Sequence, residues 1–314
     1  MTRFLIRRLI QSAFILLGVS VLNFALMRAA PGGLVSLYGD PRISPATIQR
    51  LEEQFGLHDP IPVQYLKWLG NAVRLNFGVS LIDQRPVVEK IGERLPATIQ
   101  LSLAAMVLGL LGIPLGAYAA LHRGGLGDNV IRLFTVFGNA VPHWWLGLMI
   151  LVISANTVRL FPLGGMYTQG DGSLVDRLWH LALPAMIAAM GGWIGYSRYM
   201  RSEMLEVLGQ DFVRTARAKG LPERLVLLRH VLRNALIPVV TIMGGTLAAL
   251  VSGSVLFEST FSWPGIGRMA VQAAFQRDYP VLMALNMLGA VLVILGNLLA
   301  DLAYGWVDPR VRYD

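Results

Sequence analysis

Cysteine is absent from the 314 residues, which excludes disulfides, iron–sulfur ligation and thiolate zinc sites and leaves the redox compartment open. Charge is scarce too: 15% of the residues are Asp, Glu, Lys or Arg, against about a quarter in an ordinary soluble domain, while 54% are hydrophobic. A lipid environment follows. Lysine occurs only as Lys67, Lys90 and Lys219, and none follows a glycine. The Gly-rich, Lys-terminated loop that cradles nucleotide phosphates is therefore missing, and the chain cannot bind ATP by that route. Neither H-E-x-x-H nor G-x-S-x-G occurs, and the five histidines stand apart with no carboxylate at a spacing that suggests a shared site. No catalytic, cofactor-binding or metal-ligating residue is assigned.

What the sequence has in quantity is long apolar runs. Six of them, at 9–27, 98–121, 133–155, 181–196, 236–256 and 281–300, lie near the ~20 residues a helix needs to cross the hydrocarbon core. The first follows Arg3, Arg7 and Arg8 and reads as a retained span, with a cleaved signal peptide as the competing reading. None of the six contains Asp, Glu, Lys or Arg; Asp301 comes just after the last. A carrier coupled to protons or cations keeps such groups within its spans as a relay, so a stand-alone carrier or channel is the weaker reading. Among the polar residues inside the runs are Asn23, Thr135, Asn139, Asn286 and Asn297, and hydrogen bonding between helices is the first role for each. Asn139, beside a kink expected at Pro142, and Asn286 are the candidates for a translocation path. His143 reads as a packed histidine rather than a ligand. Gly112 and Gly116 have the small-xxx-small spacing of close helix contacts.

Residues 31–97 are polar and broken by prolines, an outer loop expected to lack chemistry. Within it, 46–55 reads as a short surface helix between Ser44-Pro45 and Gly56. Residues 63–75, with Tyr65, Trp68 and Leu69 on one side, suit the membrane interface.

The stretch 198–238 differs from both. Leu205, Leu208, Phe212 and Ala216 fall on one helical face, and Leu225, Leu228 and Leu232 on another. Gly220 suits the left-handed residue that closes a helix, and Pro222 the first turn of a new one. The insert thus reads as helix, sharp turn, helix, too short to be stable without support. Support from a partner protein and support from anionic lipid are both open on this reading. The segments assigned to the inner side, this insert among them, carry 15 Arg and Lys residues, against four in the two short outer loops. That bias puts the insert and both termini in the cytoplasm. The net charge of +8 is spread over several segments with no nucleic-acid module, so no nucleic-acid partner is implied.

The residues Asp211-Phe212-Val213-Arg214-Thr215-Ala216-Arg217-Ala218-Lys219-Gly220, then His230-Val231-Leu232-Arg233-Asn234-Ala235-Leu236-Ile237-Pro238, resemble the cytoplasmic signature loop of permease subunits of binding-protein-dependent ABC importers. Ala216, Gly220 and Leu232 match the general loop, whereas Arg214, Thr215, His230 and Arg233 look like its dipeptide, oligopeptide and nickel branch. Leu95-Pro96-Ala97-Thr98, Phe77-Gly78 with Ser80, Pro264-Gly265-Ile266-Gly267-Arg268, Arg277-Asp278-Tyr279-Pro280 and Asp308-Pro309-Arg310 extend the resemblance over nearly the whole chain. The resemblance implies an all-α membrane protein of the type I importer permease fold, with six spans. Its parts would be a first helix (1–30), an extracytoplasmic loop (31–97), a permease core (98–306) holding the coupling insert, and a cytoplasmic tail (307–314). It implies a second, similar permease subunit, two cytoplasmic ATPases that bind the ATP, and an extracytoplasmic binding protein that meets the long loop. Peptides are the expected cargo, with nickel chelates or another small solute as the alternative, in a bacterial or archaeal inner membrane. The coupling residues would be Asp211, Arg214, Thr215, Ala216, Arg217, Ala218, Lys219, Gly220 and Leu221. The partner groups met by Arg214 and Arg233 do not carry over, because those positions depart from the general loop.

Overall fold

The computed structural model describes residues 2–29, 49, 59–158, 160–246 and 255–307. Apart from residue 49, the expected helix 46–55 lies outside them, as do the middle of the fifth apolar run and the tail beyond 307. The chain is helical: α1 (Thr2–Ala29), α2 (Ile61–Val73), α3 (Val87–Gly109), α4 (Gly112–Leu121), α5 (Leu126–Ala140), α6 (His143–Asn156), α7 (Leu174–Leu208), α8 (Asp211–Ala218), α9 (Glu223–Leu225) running through a π-helical stretch Val226–Leu232 into α10 (Arg233–Thr246), then α11 (Val255–Thr260), α12 (Ile266–Gln276) and α13 (Tyr279–Val307). Among the described residues four stretches are long and apolar enough to cross a bilayer, Ile6–Ala29, Val87–Leu121, Leu174–Leu208 and Tyr279–Leu298, and a fifth if the bent pair α5 and α6 counts as one span. Phe14, Leu22, Leu26, Val107, Val136 and Phe137 are exposed on these helices and on α5, as expected where the solvent is lipid.

The third apolar run is not one straight span. It breaks into α5 and α6, which meet at 94°. Pro142 has no N–H to offer the carbonyl of Gly138 one turn back, and the His143 ring takes its place, its Nε2 lying 3.2 Å from that oxygen. His143 is thus part of the bend, in keeping with a packed histidine.

The fourth run extends well past its apolar limits. Helix α7 continues to Leu208, drawing in residues expected to begin the insert. It is the axis of the fold, packing against α3, α4, α5, α6, the π-helical stretch and α10. Two glycines bring α4 onto it: a Cβ on Gly112 would stand 2.8 Å from the carbonyls of Gly192 and Trp193, and one on Gly116 would strike the carbonyl of Ser197. The small-residue spacing read at these positions marks a real backbone approach. Helix α1 lies against α13, where Asn23 donates to the Met283 carbonyl at 3.0 Å and accepts from Asn286 at 3.1 Å. Helix α2 corrects an expectation. Its ring-bearing side faces protein instead of the membrane interface, with Trp68 buried among Phe24, Met27, Tyr279 and Met283.

Candidate functional site

Helix α7 ends at Leu208 and the chain turns at Gly209 and Gln210 before α8 begins, so the first expected apolar row does not lie on one continuous helix. Phe212 is 44% exposed, and Val213 and Ala216 face inward instead. After α8, Gly220 takes φ +75°, the left-handed conformation read for it. Its surroundings are open, so conformation alone sets the need for glycine. Pro222 immediately precedes α9, with Glu223 as the first helical residue.

The second apolar row is also corrected. Leu225 and Leu228 are exposed, while Val226, Val231, Ala235 and Val239 are fully buried. Their steps of five, four and four follow from the π-helical stretch, whose wider turn inserts one extra residue into the row. These side chains pack with Val213 and Ala216 onto Met200, Met204 and Tyr196 of α7 and Ala120 of α4. The insert therefore finds its support within the chain.

Its other side is left uncovered. Asp211, Phe212, Arg214, Thr215, Arg217, Ala218 and Lys219 are exposed and Leu221 is half-buried, whereas Ala216 belongs to the inner face. Thr215 bonds its own helix through the carbonyl of Asp211 at 2.9 Å, and Arg214 stands 3.4 Å from the Asp211 carboxylate. Arg217 reaches across the Gly220 turn to grip both oxygens of Glu223, at 2.7 and 3.1 Å. That guanidinium holds the Glu223 carboxyl below its ordinary 4.5.

The path candidates part company. Asn286 is engaged with Asn23 between α13 and α1. Asn139 lines a cleft of about 730 Å³ between α5 and α7, together with Arg132, Thr135, Gly195, Arg198 and Ser202. At one margin Asp128, fully buried, takes a two-pronged bond from Arg201, at 2.7 and 2.8 Å, and accepts from the Gly124 N–H at 2.9 Å. No spacing in the sequence announces the Asp128–Arg201 pair, whose members are 73 residues apart.

Four of the short motifs pair in space. Thr98 donates to buried Glu258 at 2.7 Å and accepts from the Ile266 N–H at 2.9 Å, while Glu258 also accepts from the Arg268 N–H at 2.9 Å. Trp263 donates to the Ala97 carbonyl at 2.7 Å. In the same way Asp278, buried, accepts from the Ser80 hydroxyl and from the Leu81 N–H at 3.1 Å. Glu258 was not singled out by sequence reasoning; its one signal is a carboxylate set among apolar residues just before Trp263-Pro264-Gly265.

Over residues 1–102 the chain matches the family described as the N-terminal part of binding-protein-dependent transport system membrane components. Over residues 112–313 it matches the binding-protein-dependent transport system inner membrane component. It is similar to the oligopeptide transport system permease protein AppB of Bacillus subtilis (strain 168), with 46% identity over 316 residues and 100% of both chains covered. The dipeptide transport system permease protein DppB of Escherichia coli (strain K12) is 35% identical over 337 residues, covering 100% of this chain and 99% of that one. Among solved structures, the MetNI methionine ABC transporter in inward facing conformations aligns with a TM-score of 0.52 over 70% of this chain and 97% of its own, at 17% identity, a likeness of fold alone. The chain belongs to the family of binding-protein-dependent transport system inner membrane components.

Proposed function

We propose that this multi-pass membrane chain is the permease subunit of a peptide importer, moved by ATP hydrolysis on separate chains. The cargo rests on full-length similarity to permeases named for oligopeptide and dipeptide transport. The need for an external motor rests on the missing phosphate-binding loop and on a family described as dependent on a binding protein. In this reading the chain spans the membrane six times, five of them in the permease core, with both termini in the cytoplasm, and a second, homologous permease completes the path. Two ATPases sit beneath, and the binding protein docks on the outer loop 31–97.

The observation that carries the coupling role is the two-sidedness of the insert. One face is committed to α7 and α4 through Val213, Val226 and Val231, and the other presents Phe212 ringed by charge. Asp211, Arg214, Thr215, Arg217, Ala218, Lys219, Gly220 and Leu221 then form or shape the docking surface, with Ala216 anchoring it from within. An ATPase that shifts this surface moves α7 with it, and the spans exchange access between the two sides. An exposed aromatic amid polar neighbours has the make-up of an interface hot spot. Phe212→Asp is expected to leave the permease in the membrane, release the ATPases on gentle extraction and lower peptide uptake at least about tenfold. Normal uptake with normal ATPase retention would overturn the docking role.

A further inference from the structure

Most of the residues that line the cleft between α5 and α7 are polar or charged, whereas a lipid-facing groove would be lined by apolar ones. From α5 it receives Arg132, Thr135 and Asn139, residues three and four apart on one helical face, with Val136 beside them, and from α7 Gly195, Arg198, Tyr199, Arg201 and Ser202. Arg201 is spent on Asp128, whose two oxygens are filled by that guanidinium and by the Gly124 N–H. Among the described residues the side chains of Arg132, Asn139, Arg198 and Ser202 make no hydrogen bond or ion pair. Two guanidiniums and two neutral polar groups, all four exposed, therefore line one space without a hydrogen-bonding partner, Arg132 also lying within electrostatic reach of the Asp128 carboxylate. Gly195 adds room: nothing lies within 4 Å of where its Cβ would be, so neither packing nor backbone conformation calls for glycine there.

We propose that this cleft is an anion subsite on the path, where Arg132 and Arg198 hold the terminal carboxylate of a passing peptide and Asn139 and Ser202 meet its backbone. The assignment rests on the peptide-importer reading above. A guanidinium presents paired N–H groups that match a carboxylate, and charge-assisted bonds of this kind are about twice as strong as neutral ones. A lipid headgroup fits less well, because beyond the arginines the lining offers acyl chains only Val136 and the Tyr199 ring beside Thr135, Asn139, Gly195 and Ser202. An apolar lane exists elsewhere: a second cleft of about 660 Å³ is walled by Leu16, Leu17, Leu69, Ile91, Leu95 and Leu288.

The chain's lack of cysteine makes a direct test possible. Ser202→Cys puts a single thiol of this chain in the cleft wall, to be labelled in inside-out membrane vesicles holding the complete transporter. An anionic methanethiosulfonate should react faster than a cationic one. The tripeptide Ala-Ala-Ala should protect the thiol roughly tenfold better than its C-terminal amide, a difference of about 1.4 kcal/mol. Adding Arg132→Gln and Arg198→Gln should abolish both the charge preference and the protection. Equal protection by acid and amide, failure of either reagent to reach the thiol, or protection that follows the anionic lipid content of the vesicles would each overturn the proposal. Protection needs no transport, so the two readings fail separately: uptake of labelled Ala-Ala-Ala without protection removes the subsite alone, and protection without uptake removes the peptide-importer reading.

Discussion

The motifs around Glu258 and Asp278 and the insert that follows Leu208 are joined to the bundle by different chemistry. Near Leu174, segments distant in sequence are joined through buried carboxylates: Glu258 ties Thr98 to the first turn of α12, and Asp278 ties the Ser80 turn to the start of α13. Near Leu208 the insert joins the bundle by apolar contact, with Val213, Val226, Val231 and Ala235 against Met200 and Met204, and the insert's ion pair, Arg217–Glu223, lies in solvent, while the buried Asp128–Arg201 pair ties α5, not the insert, to α7. A hydrogen bond fails over a few tenths of an ångström and outside a narrow range of angle, whereas apolar contact is non-directional and survives a slide. The first join is suited to keeping its register and the insert's to shifting without unfolding, as the proposed coupling role requires.

Removing a buried carboxylate is therefore the harshest test of this contrast. Glu258→Ala strands the Thr98 hydroxyl and the Arg268 N–H in a buried site, and two hydrogen bonds to a charged acceptor are together worth about 3 to 5 kcal/mol. A large fall in thermal midpoint of the detergent-solubilised chain is expected, and Glu258→Gln should recover only part of it, since an amide nitrogen turned toward the Arg268 N–H cannot accept. A fall no larger than that of an apolar truncation at the insert end would erase the difference between the two joins. Val231→Ala supplies that comparison. It deletes two methyl groups from a fully buried position and should cost about 2 kcal/mol. At this end the loss of peptide uptake should exceed what the loss of folded chain explains.

The sequence made the two regions unequally legible. Apolar runs locate spans because lipid rewards uninterrupted hydrophobicity, and a Gly-x-Pro punctuation marks the Gly220 turn because few other residues accept its backbone. Helix α7 was read too short, since Arg198, Arg201 and Glu203 end the apolar run without ending the helix, and buried Asp128 receives Arg201 from a segment no local pattern connects to it. The buried row Val226, Val231, Ala235 was hidden by the templates themselves: periods of three and four select Leu225, Leu228 and Leu232, while a π-helical turn advances by five. Thr98 and Glu258 are 160 residues apart, and only the fold pairs them.

Gly220→Val probes the hinge of the insert end. A β-branched residue at φ +75° should cost about 1 to 2 kcal/mol, all of it conformational because the surrounding space is open. Asn, which tolerates that region, should cost less. Uptake should follow the order Gly, Asn, Val with the permease level in the membrane nearly unchanged. An equal loss for Asn and Val would point to a contact made by the glycine itself and not to its backbone angle.

The smallest effect belongs to the ion pair that spans the same turn. Arg217 lowers the folded-state value of Glu223 below 4.5, so the pair's stabilisation is fully present above that ordinary value and is lost as pH falls through the lower, folded one. Between pH 6 and 8 the turn should not respond, and both side chains are exposed, so any contribution is heavily screened. Amide protection across residues 217–223 in the full-length chain, taken relative to the intrinsic exchange rate at each pH, should fall only in the acid range, and Glu223→Gln should remove that acid step while leaving the neutral-pH protection almost unaltered. An acid step that survives Glu223→Gln would mean that another group steadies the turn. A large neutral-pH change in the variant would mean that the insert end leans on charge after all, and the contrast with the Glu258 end would then be one of degree only.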